Sequence, residues 1–591
     1  MVDYPCYVIG IGNAAMFHTK DHKQKNLIDP WSYLGPKRRK LVNESWSGLF
    51  RKEILPELPV DALREYYHTS DGRPTKELSS MIGLMILQQM HDLTDEQTVE
   101  QFCCNLQWHY ALDITDESDK SSYVSHRTLW TMRDHLTEKG LYKVLFETVA
   151  RKLAKVFKVE LAQQRIDSVH IQSNMRHLGR ISLFVTTIKK FLVNLKRHHA
   201  GLFDALDVQL NTKYLKKPEE AVFALVKPSQ SHGTLGQLAK DVFFLVERFG
   251  SAPEVGDMTS FKLLVRLFKE QCIVQEHDGE KIPVAKPNKD VPSDSLQNPS
   301  DPDAGYCGHK GQGFQVQLME TYQSDSSEDS FSLITHVDVE PAHHSDANAL
   351  LPAVETSKAS NMAPEELLAD SLYGSDENCE KAKNDHGVEV ISPVMGTTGK
   401  GLSLDDFTLD GSGKITACPA GKSPVRVRYK KQFNVAFSLG DCRGCPQHEH
   451  CPVTPGKKAA YLRYSKKHVR LSRRRIQEQT VEFRDKYRYR AGVEATMSEY
   501  DRRTGVKKLQ VRGDKAVSFA AFLKATSLNV RRVAASKLGE KAPKRPSFGP
   551  ISTPILLVVR LAERIRSRFE RITNWISQNR TDRSAYLKMA A

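Results

Sequence analysis

The stretch Arg165-Ile-Asp-Ser-Val-His-Ile171 alternates polar with apolar residues, and this pattern predicts a β-strand. Asp167 stands in the middle of the strand, between the apolar residues Ile166 and Val169. Aspartate is disfavoured at the centre of a strand, and a buried carboxylate without a compensating charge is costly. We therefore expect a metal ion or a positively charged side chain next to Asp167.

Downstream of this strand, the sequence predicts the remaining elements of a mixed sheet. Residues 313–322 and 331–340 have the pattern of an antiparallel strand pair, a helix follows, and a short strand ends at Asp370. A helix, a strand at 388–393 and further helices complete the series. Without the insertions, the order is β-β-β-α-β-α-β-α. This α/β (α+β) order resembles that of an RNase H-like core, in which helices flank a mixed sheet.

Periodicity and composition divide the rest of the chain into segments. Apolar residues recur at helical spacing between residues 43 and 158, whereas Pro, Asp and Ser at 283–304 indicate a linker or an exposed loop. The predicted segments are an irregular lead-in at 1–42, an all-helical N-terminal domain at 43–158, a core at 160–180 and 305–395, a helical insert and linker at 181–304, a small cysteine-rich insert at 396–475, the remainder of the core at 476–535 and a basic C-terminal tail at 536–591.

The charge of the chain favours a polyanionic partner. The net charge is +15, and Lys and Arg dominate from about residue 422 onwards, in clusters such as Arg473–Arg475 and Arg531-Arg532. Such an excess is typical of nucleic-acid binding, although a merely basic soluble surface would look the same. No apolar run is long enough to span a membrane, and the N-terminus lacks the features of a signal peptide. We therefore expect a cytoplasmic, nucleoid-associated protein without a membrane partner.

Four cysteines have the spacing of a metal site. Cys418, Cys442, Cys445 and Cys451 follow the pattern C-x23-C-x2-C-x5-C, and turn-forming residues flank them. A C-x2-C pair suits tetrahedral thiolate binding of Zn²⁺, and four thiolates leave no open position for catalysis. The sequence thus predicts a structural zinc site with four cysteine ligands. Two alternatives stay open, namely four unrelated thiols or a site in which His448 or His450 replaces one cysteine.

Three longer segments resemble the DDE transposases of bacterial insertion sequences, over roughly residues 45–535. They are RIDSVHIQSNMR (165–176), LLADSLYGSDEN (367–378) and YRYRAGVEATMSEYDRRTGVKKLQVRG (487–513). The last segment contains Tyr487, Arg490 and Glu494 at the spacing Y-x2-R-x3-E found in related transposases. The resemblance also extends to the helical N-terminal domain and to the cysteine-rich insert. The expected role of the N-terminal domain is recognition of the transposon ends or dimerisation.

The resemblance implies a catalytic triad. Asp167, Asp370 and Glu494 would bind Mg²⁺ or Mn²⁺, and two such metals would support cleavage at the transposon ends and transfer of the 3′-hydroxyl into target DNA. Glu499 is the rival of Glu494, but five residues along a helix correspond to about 140°, so the two cannot share a face. Asp338 and Asp376 are expected to be structural.

The resemblance also implies contacts with double-stranded DNA, at the terminal inverted repeats and at the target. Related families often have a lysine two helical turns beyond the glutamate, where this chain has Asp501. The residues expected at the DNA are Tyr487, Arg490, Arg502, Arg503, Lys507 and Lys508. Tyr487 has two interpretations, stacking on a displaced end nucleotide or ordinary helix packing. Because both ends must be held together, a homodimer on DNA is expected.

Two other functional classes compete with this interpretation. A non-catalytic DNA-binding relic or repressor derived from a transposase would keep the basic surface, but the presence of all three carboxylates argues against it. A plain metal-dependent nuclease would need only the core.

Overall fold

The computed structural model of the chain describes residues 16–24, 27–68, 74–215, 226–277, 279–324, 331–396 and 401–538. Nearly all of the predicted basic tail at 536–591 lies outside these residues. In the described residues, no helix is long and apolar enough to cross a membrane.

The N-terminal region is helical, as predicted. Its helices are α1 (Pro36–Asn43), α2 (Trp46–Leu49), α3 (Leu78–His91), α4 (Asp95–Cys104), α5 (Leu106–Leu112), α6 (Asp119–Ser122), α7 (His126–Glu138) and α8 (Leu141–Val156). Helix α3 is buried along almost its whole length and is therefore the central helix of this region. Thr94 and Gln97 form a capping box that fixes the start of α4.

After strand β1 (Gln163–Gln172), the chain forms a second helical region with its own core. It comprises α9 (Arg180–His198), α10 (Ala200–Asp204), α11 (Val208–Leu215), α12 (Ser231–Phe249), α13 (Pro253–Gly256), α14 (Thr259–Gln271) and the hairpin β2 (Cys272–His277) and β3 (Glu280–Ala285).

Residues 283–304 were predicted to be a linker or an exposed loop. Strand β3 runs to Ala285, most of residues 287–294 are exposed, and Leu296, Asn298 and Asp301 are buried. The two buried polar side chains are hydrogen-bonded. Asn298 donates a hydrogen bond to the carbonyl of Arg176, and Asp301 accepts one from the hydroxyl of Ser173.

The central sheet continues with β4 (Gly305–Cys307), β5 (Gly311–Thr321), β6 (Ile334–Pro341), α15 (Leu350–Ala359), β7 (Glu366–Leu368), α16 (Asp376–His386) and β8 (Glu389–Ile391). Strand β5 pairs antiparallel with β4, β6 and β1, and β1, β7 and β8 run parallel in that order. The predicted strand pair and the order β-β-β-α-β-α-β are confirmed. This is the strand arrangement of an RNase H-like fold.

Helices cover both faces of the sheet. Helix α21 (Asp514–Leu538), at the end of the described residues, packs together with α3, α8 and β6 on one face, in a core shared with the N-terminal helices. Helices α15 and α16 belong to a smaller core on the other face, around Ile166, Leu350 and Leu367.

The cysteine-rich segment forms two small sheets. Its elements are β9 (Thr408–Leu409), β10 (Ile415–Ala417), β11 (Arg426–Tyr429), β12 (Phe433–Phe437), α17 (Leu439–Arg443), β13 (Thr454–Pro455) and β14 (Ala460–Tyr464). Three helices then return the chain to the central sheet: α18 (Lys466–Glu478), α19 (Val481–Tyr487) and α20 (Gly492–Thr504).

Candidate active site

Asp167 and Asp370 come from adjacent parallel strands. Arg165 of β1 is opposite Leu368 of β7, so the same register, continued by two residues, places Asp370 beside Asp167. Burial raises the pKa of Asp167 above its ordinary value, and the charges of Asp346 and Asp370 raise it further. The positive charge of Arg490 and the hydrogen bond from the main-chain N–H of Ser168 act in the opposite direction and lower this pKa. The sheet thus holds several carboxylates so close together that they favour a nearby cation.

Asp346 is a member of this carboxylate group that the sequence reasoning missed. It follows β6 at the start of a short turn capped by Ser345, and its Oδ1 accepts a hydrogen bond of 2.9 Å from Gln317 Nε2. The signal available in the sequence was an acidic residue in the turn that follows the third predicted strand of the core.

Arg490 connects the first and third predicted ligands. Its Nη2 donates to Asp167 Oδ2 at 2.8 Å, and its Nη1 donates to Glu494 Oε1 at 3.0 Å. The guanidinium is the positive charge that the sequence led us to expect beside Asp167. Glu494 lies in the first turn of α20, and its side chain is 67% exposed. Asp167 and Glu494 are therefore joined through Arg490. The exposed side chain of Glu494 is accessible to a ligand.

A buried ionic network sets the position of α20. Glu320 on β5 is fully buried, and it pairs with Arg165 at 2.7 Å and with Arg532 of α21 at 2.8 Å. Arg165 also donates to the carbonyl of Tyr489, at the entrance to α20. Gly492 is required there, since a β-carbon on this residue would collide with the Arg165 guanidinium. The network therefore fixes the helix start two residues before Glu494.

The other acidic candidates have structural contacts. Glu499 pairs with Arg503 at 2.7 Å and with Arg532 at 2.9 Å, away from Asp167. Asp376 is buried and pairs with Arg470 at 2.6 Å. Asp338 lies on β6 and faces the ammonium group of Lys143 at 3.9 Å.

Tyr487 packs within the protein beside the carboxylates. Its ring stacks on Phe483 with centroids 5.5 Å apart. Burial raises the pKa of Tyr487, Arg490 lowers it, and Asp370 and Asp167 raise it. These influences place the phenol next to the site, while its ring already has a stacking neighbour.

The predicted DNA-contacting cations differ in their availability. Arg502, Lys507 and Lys508 are exposed, and the turn that carries the two lysines packs against β1. Arg503 is held by Glu499.

Two basic clusters that suggested polyanion binding are used internally. Arg473 and Arg474 donate to main-chain carbonyls, and Arg475 pairs with Asp405 at 3.6 Å. Arg531 donates to the carbonyl of Met90, and Arg532 joins the Glu320 network. For these arginines, main-chain carbonyls and carboxylates take up part of the donors, and Arg473 is exposed.

The four cysteines of the insert line one small cavity, together with His448. All four are free thiols. Burial raises the pKa of Cys442, and the neighbouring Cys451, Cys418 and Cys445 raise it further. The main-chain N–H of Lys422 points to Cys418 Sγ at 3.4 Å. Such N–H···S contacts accompany thiolate ligands, because they stabilise the charge on sulfur.

The donor chemistry of both groups suits cations, oxygen for Mg²⁺ and sulfur for Zn²⁺. Among the described residues, however, no three or more His, Cys, Asp and Glu side chains have the geometry to hold a metal ion. In the carboxylate group, the Arg490 guanidinium lies between two of the proposed ligands.

Comparison with known families agrees with this architecture. A family model described as a transposase DDE domain matches residues 417–534, which include all four cysteines of the insert and Glu494. A second model, described as a transposase domain (DUF772), matches residues 49–135 in the N-terminal helices. Asp167 and Asp370 lie outside both matches. No curated protein matches the chain. Together with the RNase H-like core, the two matches indicate a DDE transposase of the insertion-sequence type.

Proposed function

We propose that the protein cleaves DNA at the ends of its own element and joins the released 3′-hydroxyl to target DNA. The observation that supports this most strongly is that Asp370 follows β7 by two residues, next to Asp167 on the adjacent parallel strand β1, with Arg490 linking Asp167 to Glu494. A DNA-processing enzyme of this family needs several carboxylates close together, and the pairing of β1 with β7 and the two contacts of Arg490 support these three as that set.

Asp167, Asp370 and Glu494 would hold two Mg²⁺ or Mn²⁺ ions, which when bound supply activation of the attacking hydroxyl and stabilisation of the leaving oxygen. Asp346 adds negative charge behind them. The positive charge of Arg490 balances the negative charge of the buried Asp167 carboxylate. Once the carboxylates bind cations, the guanidinium would be available to donate hydrogen bonds to a phosphate oxygen.

DNA is the proposed macromolecular substrate. Arg502, Lys507 and Lys508 are exposed cations near β1 and would contact phosphates. Since both transposon ends must be joined in one event, we propose a dimer on DNA. Light scattering of the protein with an end duplex should give two chains per complex, and a 1:1 complex alone would contradict the dimer.

The cysteine-rich segment is proposed to bind one structural Zn²⁺ through Cys418, Cys442, Cys445 and Cys451. The shared cavity and the N–H···S contact at Cys418 support this proposal.

The decisive experiment measures strand cleavage of DNA that carries the ends flanking the gene. Wild-type protein, Asp370→Asn and the matched control Asp385→Asn, at an exposed position on α16, are compared in Mg²⁺ and in Mn²⁺. We expect metal-dependent nicking at the ends for wild type and control, and binding without nicking for Asp370→Asn. End binding without cleavage by any of the three would identify a DNA-binding relic. Cleavage without preference for the ends and without strand transfer would identify a plain nuclease.

A further inference from the structure

The turn between β4 and β5 carries a lysine that reaches back to the candidate active site. Lys310 Nζ lies 3.3 Å from the hydroxyl of Ser168, the neighbour of Asp167 in β1. Its ion pair with Asp346 is loose, at 3.9 Å, and the side chain is 37% exposed. An ammonium group has three donors, so Lys310 can bind a further anion without giving up its contact with Ser168.

Lys310 approaches β1 from the face opposite to Arg490. Adjacent residues of a strand point to opposite faces, and Arg490 contacts Asp167 whereas Lys310 contacts Ser168. Cations therefore lie on both sides of the carboxylate group.

The same hairpin carries an exposed aromatic platform. Tyr306, on β4, is 41% exposed, and its ring stacks on His177 with centroids 5.3 Å apart and planes inclined by 28°. His177 backs one face of the tyrosine and holds the ring in place. This arrangement differs from that of Tyr487, whose ring is half-buried against Phe483.

The surroundings of this platform are mainly basic. Arg176 precedes His177 and is exposed, and the exposed Arg512 contacts Met175 Sδ at 3.5 Å. The acidic residues nearby have donors of their own: Asp301 accepts from Ser173 and from the N–H of Gly513, and Asp303 accepts from the N–H of Asp514 at 3.1 Å. Exposed cations around an aromatic ring are the combination that binds single-stranded DNA, with phosphates on the cations and bases on the ring.

We propose that the β4–β5 hairpin binds an unpaired DNA strand leaving the active site, with Lys310 on a phosphate and Tyr306, supported by His177, under a base. This inference rests on the proposed function, because it needs a DNA strand at the carboxylates. It assigns the base-stacking role to Tyr306 in place of Tyr487.

The test measures DNA binding by the full chain carrying Asp370→Asn, so that no cleavage occurs. Fluorescence anisotropy is recorded over a range of salt concentrations, with an end duplex that is blunt or carries a short single-stranded overhang. We expect Lys310→Ala to reduce the slope of log affinity against log salt by about one, as for the loss of one phosphate contact. Lys289→Ala, at an exposed position in the helical insert, should leave the slope unchanged.

Tyr306→Ala should weaken binding of the overhang duplex by about 5- to 100-fold and leave the blunt duplex unaffected, because stacking contributes only with an unpaired base. Tyr306→Phe keeps the ring and should bind like the Asp370→Asn parent. Equal binding of both duplexes by all variants, with unchanged salt slopes, would overturn the hairpin site and leave the proposed function standing. Failure of the parent protein to bind either duplex would instead count against DNA as the substrate.

Discussion

Asp167 and Arg490 form an ion pair of 2.8 Å across the candidate active site, although they are 323 positions apart in the sequence. Because the same guanidinium also binds Glu494, its charge opposes any cation that approaches these two carboxylates. Under the proposed function Arg490 therefore has two states, one paired with carboxylates and one paired with a DNA phosphate.

The first prediction concerns the replacement Arg490→Gln. Removal of the positive charge should let the DNA-free protein bind Mn²⁺ at least as tightly as wild type, as measured by titration calorimetry. End cleavage should nevertheless fall by about 100-fold, as expected when one charged donor to the reacting phosphate is lost. Arg488→Gln, a neighbouring exposed position, should change neither quantity. Weaker Mn²⁺ binding by Arg490→Gln would mean that the arginine organises the carboxylates and does not compete with the cation.

The second prediction concerns Gly492→Ala. The added methyl group would collide with Arg165, which cannot rotate away because it is held by Glu320 at 2.7 Å and by the carbonyl of Tyr489. We expect a loss of about 1–3 kcal/mol in the free energy of unfolding, as is typical of overpacking. Cleavage should drop by about 100-fold, because a displaced α20 moves Glu494.

The matched control for Gly492→Ala is Gly236→Ala in α12, where a β-carbon would meet nothing within 4 Å. This control should retain full stability and full cleavage. Normal cleavage by Gly492→Ala would contradict the role of the Arg165 network in placing Glu494.

How far the sequence predicts the site depends on how local each signal is. Asp167 could be found because strand alternation is local, and an aspartate within it stands out. Asp346 carried only the weaker signal of an acidic residue after the third strand, since its approach to Asp167 depends on how the turn after β6 folds over the sheet. The cluster Arg473–Arg475 shows what a run of adjacent charges does not reveal, namely which of its donors are used inside the protein. On α18 they point in different directions and bind Gly411, Gly374 and Asp405.

The third prediction concerns zinc. Wild-type protein prepared under reducing conditions should contain about one zinc per chain by mass spectrometry, and Cys442→Ser should lose it. Since bound metal contributes directly to folding, residues 401–464 should then become sensitive to protease. Cys379→Ser, outside the cysteine cluster, serves as control and should retain zinc. Undiminished zinc in Cys442→Ser would show that this thiol is not a ligand.

The fourth prediction concerns acid stability and rests on His336 of β6. The ring is buried, and burial, followed by the charge of Lys143, lowers its pKa from 6.5 to about 4. In the unfolded chain the ordinary value of about 6.5 returns. The contribution of His336 to stability is therefore present above pH 6.5 and is lost as the pH falls towards 4, because the unfolded state takes up the proton first. At pH 5 the loss amounts to about 2 kcal/mol.

Urea unfolding at pH 7.5 and at pH 5 isolates this contribution. Wild-type protein should lose about 2 kcal/mol more between the two pH values than His336→Gln, which cannot take up the proton. Other groups also respond to acid; for example, burial lowers the pKa of His91 to about 4. Such effects are the same in both proteins and cancel in the difference. The exposed variant His198→Gln should lose as much as wild type. If His336→Gln loses as much too, the pKa of His336 in the folded protein is not lowered below its ordinary value.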